Sequence, residues 1–154
     1  MKKILIGIGL ATMALSAGFC ANVTSKSSCT ANSYNKSCQL RVTKAEVKLL
    51  KDSNAEVKMR IKNSSDKTAD IVAAYSPIDR ETQLHHFVQN SKGQKVMKQI
   101  KNIEIYPHNS VTLSFQELHV MLEGINKKLQ AGDKVPLVLI LDDGSSISVD
   151  ATVG

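Results

Sequence analysis

The chain has 154 residues, with 20 Lys and Arg against 14 Asp and Glu and a formal charge of +6. That length supports one domain with a single core and excludes two sizeable ones. The lysines are scattered without a basic cluster and aromatic residues make up only 4% of the chain, so a nucleic-acid-binding surface finds no support.

Lys2 and Lys3 precede an apolar run from Ile4 to Phe19 that is too short and too rich in small residues to favour a membrane span. Basic, then apolar, then small residues is the order of a secretory signal peptide, expected over 1–21 with cleavage after Gly18 or Ala21. Ser16 and Gly18 form an acceptable pair for the first site, whereas the second places bulky Phe19 three residues before the cut. Phe19 also precedes Cys20, where a lipoprotein signal needs a small residue, so a soluble periplasmic protein is expected rather than a lipid-anchored one. Losing Lys2 and Lys3 leaves 18 basic against 14 acidic side chains, a mild +4. Residues 22–38 read as an N-terminal tail. Cys29 and Cys38 flank a polar stretch there and are expected to close a disulfide in an oxidising compartment. Their spacing is not C-x-x-C and no adjacent basic group stands out, so thiol exchange or metal binding by these cysteines is the weaker reading.

From Gln39 to Gly154 the apolar period is two, the signature of strands. Ala45, Val47 and Leu49 alternate with Lys44, Glu46 and Lys48, and Ala55, Val57, Met59 and Ile61 with Glu56, Lys58, Arg60 and Lys62. Lys51 to Asn54 joins them as a hairpin turn, and Asn63 to Asp66 is the next turn. Strands are then expected over Ala69 to Tyr75 and Thr82 to Val88, with a turn at Asn90 to Gly93. Ile103 and Ile105 precede a turn at Pro107-His108-Asn109, and Val111, Leu113 and Phe115 resume the alternation. A helical turn is expected within Glu123 to Gln130, closed by Gly132. Val135 to Leu141 is nearly continuous apolar, as in a strand covered on both faces, and Asp142-Asp143-Gly144 turns into a last strand carrying Ile147, Val149, Ala151 and Val153. Many short strands joined by turns predict an all-β sandwich or barrel of antiparallel strands over 39–154.

Chemistry concentrates between residues 85 and 121. Ten residues separate His86 from Met97, twenty-one separate Met97 from His119, and one separates His119 from Met121. Residues two apart on a strand share a face, so His119 and Met121 point together while Leu118, Val120 and Leu122 point to the core. Met121 is thereby expected outside the core, beside an imidazole. Met97 keeps company with Lys95, Gln99 and Lys101, whereas Met59 lies in line with Val57 and Ile61 and reads as ordinary packing. His108, in its turn, reads as solvated. Thioethers are poor ligands for zinc, magnesium or calcium and good ones for Cu(I), and they need no deprotonation. Two imidazoles and two thioethers on an exported domain therefore predict a soft-metal carrier site.

These residues resemble the PCu(A)C family of periplasmic copper chaperones, whose motif is His, ten residues, Met, twenty-one residues, His, one residue, Met. Here it is matched by Met97 and by His119-Val120-Met121-Leu122-Glu123-Gly124. Ile103-Glu104-Ile105, Val111-Thr112-Leu113, Gly132 to Leu137 and Val57 to Asn63 are similar to the family as well, so the resemblance covers roughly 40–153. It implies a cupredoxin-like sandwich that binds one Cu(I) near its surface through His/Met ligands. It also implies an acceptor, the Cu(A) site of a cytochrome c oxidase subunit or another chaperone. The first ligand is open: spacing selects His86, while the Gln83-Leu84-His85 context and strand parity favour His85. The histidine left over could form a secondary Cu(II) site. Two departures are Lys95, where many members carry a further methionine, and Phe115-Gln116-Glu117-Leu118, where the family has a glycine-rich turn. A monomer without enzymatic activity is expected. The competing readings are a metal-independent immunoglobulin-like adhesion or assembly module and a thiol-redox enzyme using Cys29 and Cys38. No nucleophile–base pair or phosphate loop suggests a hydrolase.

Overall fold

The computed structural model describes residues 25–26 and 36–154. The expected signal peptide, Cys20 and Cys29 lie outside them; Cys38 is disulfide-bonded. Eleven strands run in chain order among the described residues: β1 (Ser25–Lys26), β2 (Leu40–Leu49), β3 (Ala55–Asn63), β4 (Ala69–Tyr75), β5 (Glu81–Gln89), β6 (Lys95–Gln99), β7 (Ile103–Ile105), β8 (Ser110–Leu113), β9 (Leu118–Glu123), β10 (Lys134–Leu141) and β11 (Ser146–Val153). A 3-10 turn at Lys36–Gln39 leads into β2.

Hydrogen bonding links them in the order β6-β5-β9-β3-β2-β11-β10-β4-β7, with β1 beside β11 and β8 beside β3. One core cluster takes Val42, Ile61, Ile71, Leu84, Ile105, Leu113, Val120, Leu139 and Ile147 from nine of the strands. A flat sheet could not bring both ends of that path together, so the sheet curls into a sandwich-like all-β fold with the apolar side chains inside. Each fully buried Leu, Ile or Val contributes about 1.5–3 kcal/mol, and these residues hold the sheet closed. Buried Asn63 ties the end of β3 across the fold. Its amide donates to the carbonyls of Lys67 at 2.8 Å and Ile105 at 2.9 Å and its oxygen accepts from Ser65 N–H.

The strand pattern holds along the chain, with local differences. In β2 the register shifts between Thr43 and Glu46, and Lys44 takes φ 54°. This bulge moves the core-facing parity from Leu40 and Val42 to Ala45 and Val47, and leaves Leu49 at the strand end exposed. β10 is not covered on both faces: Val135, Leu137, Leu139 and Leu141 are buried, while Val138 and Ile140 are half-buried. Strand β8 ends at Leu113, leaving Phe115 in the following turn. The expected helical turn after Glu123 does not form. Gly124 turns the chain at φ 66°, and the next amides, Ile125 and Asn126, are drawn off to the carbonyls of Ser53 and Ile78. The Glu123 carbonyl accepts from Arg80 N–H and the Gln130 amide goes to Asp133, so both ends of an i→i−4 ladder over 123–130 are engaged elsewhere.

Candidate metal centre

Strands β5, β9 and β3 lie side by side, and their registers decide which side chains meet. His85 is directly opposite His119, and Met121 is opposite Gln83 on one side and Glu56 on the other. Directly paired residues of antiparallel strands share a face. Glu56, Met121, Gln83, His119, His85 and Phe87 therefore occupy one face, the side away from the Val57–Val120–Leu84 core. The hairpin partner β6 adds Gln99 opposite His85 and Met97 opposite Phe87 on that same face.

His86 is paired with Leu118 and Lys98 and points to the opposite side, exposed. The structure thus brings His85, His119 and Met121 together and separates His86 from them. Met97 shares their face at a distance. Its register partner lies four residues along β5 from that of Met121, about 13 Å of strand, and the two methionines flank the histidine pair from opposite ends. Met97 is 40% exposed at the edge, whereas Met121 is 4% exposed.

That burial corrects the expectation of an outward-facing Met121. Strand β9 is buried on both faces, because β5 and β3 cover its second side with His85, Phe87 and Glu56. The ring of Phe87 lies 5.7 Å from that of His119. Phe115, from the turn before β9, joins this side of the sheet, where Lys58 Nζ sits 4.8 Å and Lys48 Nζ 5.5 Å from its ring.

The histidine pair is held by hydrogen bonds that leave one ring nitrogen of each uncommitted. The two rings stand edge to face with centroids 5.8 Å apart. His119 Nδ1 donates to the Glu117 carbonyl at 3.1 Å, which leaves the lone pair on Nε2. Gln83 donates its amide to Glu81 at 2.7 Å, turning its oxygen toward His85, whose Nε2 donates to it at 2.6 Å. The lone pair of His85 then lies on Nδ1. Both free nitrogens, His85 Nδ1 and His119 Nε2, are buried without a hydrogen-bond partner among the described residues. Holding one imidazole nitrogen by a carbonyl or amide so that the other is a fixed lone-pair donor is the usual support of metal-ligating histidine. Burial is the main cause that lowers the pKa of both rings; His119 adds to it at His85, whereas at His119 the Glu117 carbonyl and Glu56 act the other way without overcoming the burial. The rings are therefore kept neutral, the form that binds metal.

Glu56 was not legible as a site residue: in sequence it alternates with core positions like Lys58 and Arg60. Only the register with Met121 shows where it sits. No group of three or more His, Cys, Asp or Glu that could hold a metal exists among the described residues. His108 is exposed in its turn, 2.7 Å from Asp66, remote from this face.

The family model described as "LpqE-like: Putative lipoprotein LpqE-like" matches residues 40–153. The chain belongs to this LpqE-like family. Among curated relatives, this LpqE-like chain is 28% identical over 114 residues to the "Putative lipoprotein Lxx21020" of Leifsonia xyli subsp. xyli, covering 74% of this chain and 69% of that protein. Among solved structures it is similar to the "Copper-bound PCuAC domain from PmoF2" with a TM-score of 0.62 at 20% identity, over 75% of this chain and 92% of that one. It is also similar to "CuI-DR1885 from Deinococcus Radiodurans", with a TM-score of 0.57 at 28% identity over 71% of this chain and 74% of that one.

Proposed function

We propose that this protein is an extracytoplasmic copper carrier that holds one Cu(I) between His85, His119, Met121 and Met97 and hands it to an acceptor protein. The carrying observation is the pair of buried, unpartnered lone pairs on His85 and His119 beside the thioether of Met121. Unpaired buried nitrogens cost stability unless something fills them. The copper-bound state of the similar PmoF2 domain and the Cu(I) state of the similar DR1885 support copper as that something. The lipoprotein description of the family and the disulfide at Cys38 support export, since disulfides persist in oxidising compartments.

All four ligands are neutral, so the ion is not locked in as thiolates would lock it. Three of them, His85, His119 and Met121, form the inner, buried part of the site. Met97 is the outer ligand: on an edge strand opposite Phe87, its thioether on a flexible chain swings inward to close on the ion. Release begins where an acceptor can reach, so Met97 is the first ligand exchanged, and transfer then follows relative affinity. The acceptor is the Cu(A) site of an oxidase subunit or another copper chaperone. His86, exposed on the opposite face, remains available for a secondary Cu(II) site.

Competition against a chromophoric Cu(I) chelator under reducing conditions tests this reading. Met121→Leu and Met97→Leu are each expected to weaken Cu(I) binding by about tenfold or more, and His85→Ala by more than either. His86→Ala is expected to leave Cu(I) affinity unchanged. Equal losses at positions 85 and 86, or full affinity without Met121, would overturn the assigned ligand set.

A further inference from the structure

Glu56 on β3 is 4% exposed, and its Oε2 has no hydrogen-bond partner among the described residues. Its Oε1 lies 3.9 Å from His119 Nε2, the same nitrogen that carries an uncommitted lone pair. That separation is too long for a hydrogen bond.

The cations nearest in the sheet are occupied elsewhere. Lys58 pairs with Glu46 at 3.0 Å, and both Lys58 and Lys48, the residue directly opposite Glu56, hold their ammonium groups over Phe115. A buried carboxylate without a paired cation is among the costliest arrangements a fold can keep. Its persistence here, against an unpartnered imidazole nitrogen and across from a buried thioether, indicates a cation that arrives from outside.

We propose that the carboxylate of Glu56 is the fixed counter-charge of the metal centre, balancing a bound monovalent soft cation that the neutral His and Met ligands hold. This rests on the copper-carrier reading and adds a charge to it. Four neutral ligands alone would leave a full positive charge in a water-poor setting. With the carboxylate of Glu56 beside them, the loaded site is electroneutral for Cu(I) or Ag(I). Glu56 is thus a positioning and charge-balancing residue, and it favours loading over the apo state.

The test measures Cu(I) and Ag(I) affinities of the full chain by chelator competition, together with apo and loaded melting temperatures, for the wild type, Glu56→Gln and Glu56→Asp. Glu56→Gln keeps the shape and removes the charge. It is expected to weaken both ions by about tenfold or more while the apo melting temperature stays level or rises, so that the rise on loading shrinks. Glu56→Asp keeps the charge and is expected to bind more tightly than Glu56→Gln. Unchanged affinity in Glu56→Gln overturns the proposal while leaving the carrier reading intact. Equal falls in apo and loaded melting temperature also overturn it, because they mark a purely structural role. An Asp variant no better than the Gln variant overturns it for a Gln variant that folds poorly as well as for one that folds well. A wild type that binds neither ion overturns the carrier reading and this inference with it.

Discussion

Gln116 occupies the tight turn that delivers β9 to the site, and it does so in the left-handed region at φ 62°. The turn is closed by Ser114 N–H to the Leu118 carbonyl at 2.7 Å and Glu117 N–H to the Ser114 carbonyl at 3.2 Å. It immediately precedes His119, whose Nδ1 is anchored on the Glu117 carbonyl. A side chain with a Cβ is strained in that conformation and glycine is not. Gln116→Gly is therefore expected to stabilise the protein by about 0.5–1 kcal/mol, read as a raised urea midpoint, with Cu(I) affinity unchanged. A lowered midpoint would mean that the glutamine side chain makes a contact worth more than the strain. At this scale too, one residue of parity puts His86 on the other side of the sheet from His85 and His119.

Strand β9 has two different faces, both buried, and the two sides should respond differently to substitution. Leu122 is fully buried in the core cluster, so Leu122→Ala opens a cavity and is expected to cost about 2–5 kcal/mol. Met121 is buried on the other face among polar neighbours and outside that cluster. Met121→Leu keeps its volume and is expected to cost less than about 1.5 kcal/mol. Chemical denaturation of the two variants checks the contrast, and comparable losses would mean that Met121 belongs to the core after all. Much of this element was legible from alternation: His119 and Met121 share a face, Val120 and Leu122 share the other, and Met59 is core. That the ligand face is itself covered was not legible, because burial there is decided by what β5 and β3 place alongside. The same holds for Glu56, whose charge reads as a solvated position until the register sets it against Met121. The offset of Met97 from the histidine pair also escaped spacing counts. It follows from the β5–β6 hairpin register, which sets Gln99, not Met97, opposite His85.

At the scale of the whole molecule, the buried histidines make folding itself depend on pH. Burial lowers the pKa of His85 and His119 below the ordinary 6.5, so the unfolded chain binds protons that the folded chain refuses. Stability then rises with pH wherever the unfolded state holds more protons. The contribution is fully present above about 6.5 and is lost as pH falls from there toward the folded-state values. Three carboxylates are shifted as well, Asp142 and Asp143 downward and Asp79 upward. The hydrogen bond from Lys36 lowers the pKa of Asp142, whose contribution is present above 3.8 and lost as pH falls through its folded value. Burial raises that of Asp79, whose contribution is present below 3.8 and lost as pH rises through its folded value. The apo protein is therefore expected to melt at progressively lower temperature from pH 7 to pH 5, and a His85→Gln, His119→Gln double variant is expected to show a flatter profile over that range. On the proposed ligand set Cu(I) competes with protons for the same two nitrogens, so the stabilisation on loading should shrink over the same interval. Melts at fixed ionic strength across that range decide it: a wild-type profile as flat as that of the double variant would mean that these imidazoles are not held neutral by the fold, and the lone pairs on which metal capture depends would then be shared with solvent protons.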